Sequence, residues 1–183
     1  MPHPGRGRRQ LYCRPVNDQS YQCRCCGQQH EGLPFSYASD APAYWRDELA
    51  GDERSLLDDE LCIIQAQHFF VRARIVIPVL DVTAEFDWTV WVSLSRANFE
   101  RMTNLWTTPG REQEPSYFGW LSTELPVYEP TTLNLKTRVH TRPVGTRPLV
   151  ELEPTDHPLA VDQRTGITLD RVRRFAESLL HGT

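Results

Sequence analysis

The chain has 183 residues, 39% of them hydrophobic, and a formal charge of −4, which is the size of one ordinary domain. That acidity excludes a whole-surface attraction to nucleic acid or anionic lipid. No stretch approaches the roughly 18 apolar residues of a membrane span, and the basic N-terminus lacks the apolar segment of a secretory signal, so a cytoplasmic location is the expectation.

Residues 1–20 are rich in Pro, Gly, Arg, Asn and Gln and read as a disordered leader, with Arg6, Arg8, Arg9 and Arg14 a solvated basic cluster. Residues 21–183 are then a single α+β domain. Asp40 before Ala41-Pro42-Ala43 has the form of a helix N-cap, predicting a short helix to Gly51 with Tyr44, Trp45 and Leu49 inward. Phe69, Val71, Ala73, Ile75, Ile77 and Val79 alternate with polar residues and define a strand with one core face. After a turn at Asp81 to Glu85, Phe86, Trp88, Val90, Val92 and Leu94 alternate again, as the antiparallel partner. Trp91, on the other face, is expected under a helix. Ser95 caps a helix carrying Phe99, Met102, Leu105 and Trp106, which ends at Pro109-Gly110. Tyr117 to Leu121, Thr132 to Arg142 and Arg147 to Glu153 are further strands. Thr168 caps a closing helix over Leu169 to Leu180, with Gly182 past its end. The architecture expected is a mainly antiparallel sheet with flanking helices and an N-terminal Cys-rich turn resembling a zinc knuckle.

Four of the five cysteines lie between Cys13 and Cys26, a clustering that suits metal ligation in a reducing compartment. Cys23 and Cys26 stand two residues apart and Gly27 lets the backbone fold back, so both thiolates can reach one tetrahedral ion. His30 follows within reach. A closed site needs a fourth ligand, for which Cys62 and His68 compete, while Cys13 and Cys25 are spare thiols. Thiolate and imidazole ligands suit Zn2+, in a structural role if all four positions are filled by protein.

The segment from Thr132 to Glu153 sets its own register. If Arg142 faces Arg147 across Pro143-Val144-Gly145-Thr146, then Val139 meets Val150 and Thr137 meets Leu152 on one face. On the other face Arg138 meets Glu151, Lys136 meets Glu153 and His140 meets Leu149. Arg142 and Arg147 are left as like charges, relieved by a carboxylate, by solvent or by a bound anion. Asp156 and His157, with His140, are the residue types of an acid–base set, although Asp156 serves equally well as a helix N-cap. No nucleophile elbow, phosphate loop, paired metal-binding His motif or dinucleotide fingerprint is present.

These residues resemble a bacterial family described as domain of unknown function 2199. The resemblance runs from about Tyr21 to His181 and rests on Cys23-x-x-Cys26-Gly27-x-x-His30-Glu31-Gly32-Leu33-Pro34, Cys62-Ile63-Ile64, Phe69-Phe70-Val71-Arg72 and Trp91-Val92-Ser93-Leu94-Ser95. Tyr117-Phe118-Gly119-Trp120-Leu121, Val139 to Gly145, Glu151 to Ala160 and Gln163-Arg164-x-Gly166-Ile167 extend it. Ala73 departs from the pattern, where glycine is expected. The resemblance implies no established activity or cofactor, and it favours Cys62 over His68 as the fourth ligand.

The expectation is therefore a non-catalytic, zinc-stabilised bacterial module that binds a protein partner or a small anionic ligand, with His140, Arg142, Arg147, Asp156 and His157 as the ligand-binding candidates. The alternative is a hydrolase that uses His140, Asp156 and His157, with Arg142 and Arg147 holding an anionic substrate. Nucleic-acid binding through the leader and hairpin is the least favoured reading, and no membrane association is expected.

Overall fold

The computed structural model describes residues 11–15 and 20–181. The leader expected over residues 1–20 lies, apart from Ser20 and the strand β1 (Leu11–Pro15), outside the described residues. β2 (Tyr21–Gln22) and β3 (Gln29–His30) pair antiparallel in a small ladder that encloses the cysteine turn. β4 (Pro34–Ser39) follows, then the short β5 (Leu56–Leu57) and β6 (Leu61–Ile64). The two long alternating runs are β7 (His68–Val79) and β8 (Ala84–Leu94). Beyond the helix α1 (Arg96–Asn104) come β9 (Tyr117–Leu121), β10 (Lys136–His140) and β11 (Leu149–Leu152). Two helices, α2 (Pro158–Thr165) and α3 (Leu169–His181), end the described chain.

The period-two pattern of β7 and β8 places Val71 opposite Val92, Ala73 opposite Val90, Ile75 opposite Trp88 and Ile77 opposite Phe86, all buried on one face. The hairpin register also has the form its charges and apolar residues set, with Thr137 on Leu152, Arg138 on Glu151, Val139 on Val150 and His140 on Leu149. Of the expected charge pairs across it, Lys136 and Glu153 meet at 3.9 Å, but Arg138 and Glu151 do not. Glu151 turns to His140, with His140 Nε2 and Glu151 Oε2 3.0 Å apart, and Arg138 lies 6.0 Å from the Phe118 ring instead.

The sheet is not open. β8 pairs with β9, β9 with β10, β10 with β11, and β11 returns to β7 in parallel where Leu149 faces Arg74, so five strands close a barrel. β4 and β1 extend from the first half of β8, and β6 and β5 from the first half of β7. Closure requires β9 to approach β8 closely at Gly119. A Cβ there would lie 2.5 Å from Val92 Cγ1 and 2.6 Å from the Ser93 carbonyl oxygen. Gly119→Ala is expected to cost about 1–3 kcal/mol through forced backbone displacement, read as a lower urea midpoint; an unchanged midpoint would show that the barrel yields freely there.

A second apolar cluster lies outside the barrel, where Trp45, Cys62, Ile64, Phe70 and Trp91 are buried together. Trp91 is covered, as expected, but not by an α-helix. The segment after Asp40 is irregular and only Asp47–Gly51 forms a 3-10 turn, with no side-chain cap. Instead, Ala43 N–H donates to the Ser122 carbonyl (2.8 Å) and Trp91 Nε1 donates to the Ser39 carbonyl (3.0 Å), which pins the segment to the sheet.

α1 starts as its sequence requires, with Ser95 Oγ accepting from Asn98 N–H at 3.2 Å, and Phe99 packs on Phe69. α2 is capped by His157, not Asp156: His157 Nδ1 accepts from Leu159 N–H at 3.1 Å. α3 seals the barrel end with Phe175 against Phe86, Trp88 and Tyr128. Asp162 on α2 is held by Tyr128 Oη (3.0 Å) and Arg171 Nε (2.8 Å), tying both helices together. The loop of the β10–β11 hairpin is pinned by Arg111, which is 4% exposed. Its guanidinium donates to the carbonyls of Arg142 (2.7 Å), Trp106 (2.7 Å), Thr146 (2.9 Å) and Pro143 (3.4 Å). No helix among the described residues is long and apolar enough to cross a membrane.

Candidate metal centre

The cysteine turn folds as its glycine allows. Gly27 takes φ 71° and donates to the Cys23 carbonyl at 2.9 Å, while Cys23 N–H donates to the Gln28 carbonyl at 2.9 Å. This brings Cys23 inward, 1% exposed against the main core, and leaves Cys26 at the surface. Pairing of Tyr21 with His30 across β2 and β3 sets the imidazole beside the turn, its ring 5.5 Å from that of Tyr21.

The fourth side chain comes from the far end of the sequence. His181, the last residue of α3, lies with Nε2 3.1 Å from Cys23 Sγ, and Cys26 Sγ lies 3.4 Å from His30 Nε2. One ligand atom from each of Cys23, Cys26, His30 and His181 falls within 4.8 Å of all the others. A tetrahedral zinc ion, with Zn–S of about 2.3 Å and Zn–N of about 2.0–2.1 Å, separates a sulfur and a nitrogen ligand by roughly 3.6 Å. The two thiolates and two imidazoles therefore fit such an ion with small adjustments.

The electrostatics of the turn agree. Burial pushes the Cys23 thiol up, but the backbone N–H groups of Cys26 and Cys25, with the side chains of Cys26 and His181, outweigh it and bring the pKa down to about 6. Cys25 is moved the other way, by burial first and then by the negative charge of Cys23 and Glu177, so it stays a protonated thiol. α3 is anchored to the turn at further points. Buried Glu177 accepts from Arg24 N–H at 2.8 Å, and Asp170 pairs with the Arg24 guanidinium, which holds its carboxyl below the usual carboxylate range. Asp170, Glu177 and His181 are seven and four residues apart, a spacing that puts all three on one helical face.

Cys62 is not part of this group. On β6 it alternates inward with Ile64, is 0% exposed beside Trp45 and Trp91, and belongs to the second apolar cluster. The fourth place expected for it is occupied by His181. His68, the competitor, is exposed at the start of β7, where it pairs with Ile64. His181 was legible only as a histidine ending an amphipathic helix, in phase with Asp170 and Glu177.

The hairpin residues are not gathered into one cleft. His140 pairs with Glu151, and Arg147 is bound by both oxygens of Glu60. The Arg142 side chain is exposed, its carbonyl serving Arg111. His157 has both ring nitrogens engaged, Nδ1 as the α2 cap and Nε2 2.9 Å from the Pro130 carbonyl, and Asp156 is exposed beside it. His140 faces Leu149, whereas Asp156 and His157 lie past Leu152 at the other end of β11, about 10 Å or more along the strand.

Fold and site together define an α+β barrel domain in which a two-cysteine, two-histidine group joins an N-terminal turn to a C-terminal helix. The chain belongs to the DUF2199 family, described as an uncharacterized protein conserved in bacteria, whose model matches residues 22–167. Cys23, Cys26 and His30 fall inside the matched segment, and His181 falls beyond it. No curated protein and no solved structure matches the chain.

Proposed function

We propose that the protein is a non-catalytic binding module whose cysteine turn and closing helix are held together by one structural zinc ion. The observation that carries this reading is the convergence of Cys23, Cys26, His30 and His181 within 4.8 Å. Two thiolates and two imidazoles suit zinc over harder cations. Four protein ligands also leave no open position for water or substrate, which makes the ion structural. A binding role to a protein partner or small ligand is favoured over hydrolysis because His140 and His157 are spent on other contacts and lie apart. The anion-binding form of that role is weakened by the Glu60 carboxylate that already holds Arg147.

The test is elemental analysis of protein purified without chelators. About one zinc per chain is expected, lost in Cys26→Ser and in His181→Ala but kept in Cys62→Ser. Metal that persists in His181→Ala and disappears in Cys62→Ser would overturn the ligand set; the absence of metal from all samples would overturn the zinc reading.

A further inference from the structure

A cleft of about 650 Å³ opens where β9 meets the turn between β6 and β7, and none of its lining residues belongs to the metal group. Its walls carry the exposed rings of Tyr44 and Trp120, 42% and 40% accessible, and Phe70, a buried member of the second apolar cluster, lines it too. Tyr44 is stacked on Phe70 with the ring planes 28° apart. Its hydroxyl donates to Asn134 Oδ1 at 2.9 Å, which fixes the amide with its NH2 as the end that Tyr44 does not engage. Gln65 and Gln67 add two further amides. No lysine, arginine or carboxylate lines the cleft, and His68 is its one histidine.

The rim is built at a conformational cost. Among the described residues, Gln65, Ala66 and Asn134 are the non-glycine residues of positive φ, at 53°, 54° and 62°. Two of them line the cleft and the third adjoins it. The Gln65-Ala66 turn is closed by Gln67 N–H on the Ile64 carbonyl (3.0 Å), a geometry in which Asn-Gly is the favoured pair. It is held from outside by Ser55 Oγ, which accepts from Gln65 N–H (2.9 Å), by the Arg54 carbonyl, which accepts from Ala66 N–H (2.7 Å), and by Arg96 Nη2, which donates to the Ala66 carbonyl. Backbone of this kind, fixed by neighbours on several sides, holds the rim in one shape and recurs at binding sites.

We propose that this cleft binds a neutral sugar, with a pyranose ring laid on Trp120 and its hydroxyls bonded by the amides of Gln65, Gln67 and Asn134. The C–H face of a pyranose is weakly positive and meets the negative face of an indole. An amide offers both donor and acceptor, as each hydroxyl does. The absence of fixed charge selects against nucleotides and acidic ligands, whose phosphates or carboxylates would be left unpaired. The volume lies within the roughly 300–1,000 Å³ of small-molecule sites. The proposal does not depend on the zinc reading.

Saturation-transfer NMR with maltose, N,N′-diacetylchitobiose and adenosine tests it on the full chain. At least one of the two disaccharides is expected to bind, with an affinity indifferent to salt. Binding is expected to weaken at least about tenfold in Trp120→Ala and in Asn134→Ala, while Trp120→Phe retains part of it; both Trp120 variants keep the wild-type melting curve, and Asn134→Ala, at positive φ, melts lower. Binding of adenosine but neither sugar would overturn the proposal, as would binding of none of the three, or sugar binding that both alanine variants leave intact.

Discussion

Stripping the metal from zinc-loaded protein with a chelator is expected to remove about 5 kcal/mol of unfolding free energy, since Cys23 and His181 are 158 residues apart and a cross-link between them closes almost the whole chain. The cross-link acts mainly on the unfolded ensemble by removing loop-closure entropy, so its effect grows with the span it closes. For a domain of this size the melting temperature should fall by roughly 10–20 °C. α3 should respond first. Hydrogen exchange at Val172 to Leu179 is expected to rise in the stripped protein before exchange in β7 and β8 does, because α3 and the cysteine turn hold the proposed ligands and the barrel strands hold none. The other attachments of α3, Glu177 to Arg24 N–H and Phe175 in the barrel end, persist without metal. Uniform exchange in all elements would mean that the ion stabilises the fold as a whole; unchanged exchange in α3 would contradict the proposed ligand His181.

Arg111→Ala is expected to cost at least about 1–3 kcal/mol, the range for leaving a hydrogen-bonding group without its partner. Four carbonyls receive its donors, and none of them is a carboxylate. The charge is therefore met by backbone dipoles rather than by an opposite charge, and shortening the side chain leaves four carbonyls without this donor. Trp106 lies under the guanidinium at 4.9 Å, and Thr141 Oγ1 returns a hydrogen bond to the Arg111 carbonyl, so side chain and backbone are locked together. Arg111→Lys should lose most of the same energy, because one ammonium cannot reproduce a planar fork that reaches four acceptors. Urea unfolding of the two variants checks this. A cost below about 1 kcal/mol for alanine, the usual range of a surface charge, would mean that the Pro143 to Thr146 loop holds itself.

The barrel strands were legible because they obey one rule at a time. β7 and β8 alternate cleanly, and the β10–β11 register follows from apolar residues on one face and opposite charges on the other. Closure was not legible, since it rests on a parallel contact between Leu149 and Arg74, which no local pattern announces. The helix expected after Asp40 shows the opposite failure. Its capping signals are genuine, but the amide of Ala43 and the indole of Trp91 make tertiary hydrogen bonds that outweigh local preference. At the metal centre, Cys23, Cys26 and His30 were found from spacing because the turn is local. His181 was not, because sequence spacing carries no information on which distant element docks against a turn. Arg111 reads in the sequence as one more surface charge in Pro109-Gly110-Arg111-Glu112, and only its burial distinguishes it.

The closed barrel also bears on how the protein meets other copies of itself. A sheet recruits further strands through unpaired backbone at its margins, and five of these strands have no margin to offer. Among the described residues the larger sheet ends at β5 on one side and β1 on the other. β5 is two residues long, too short to template a growing ribbon, so fibrillar stacking would have to begin along Leu11–Pro15. Proline at Pro15 removes one of the amides such growth would need.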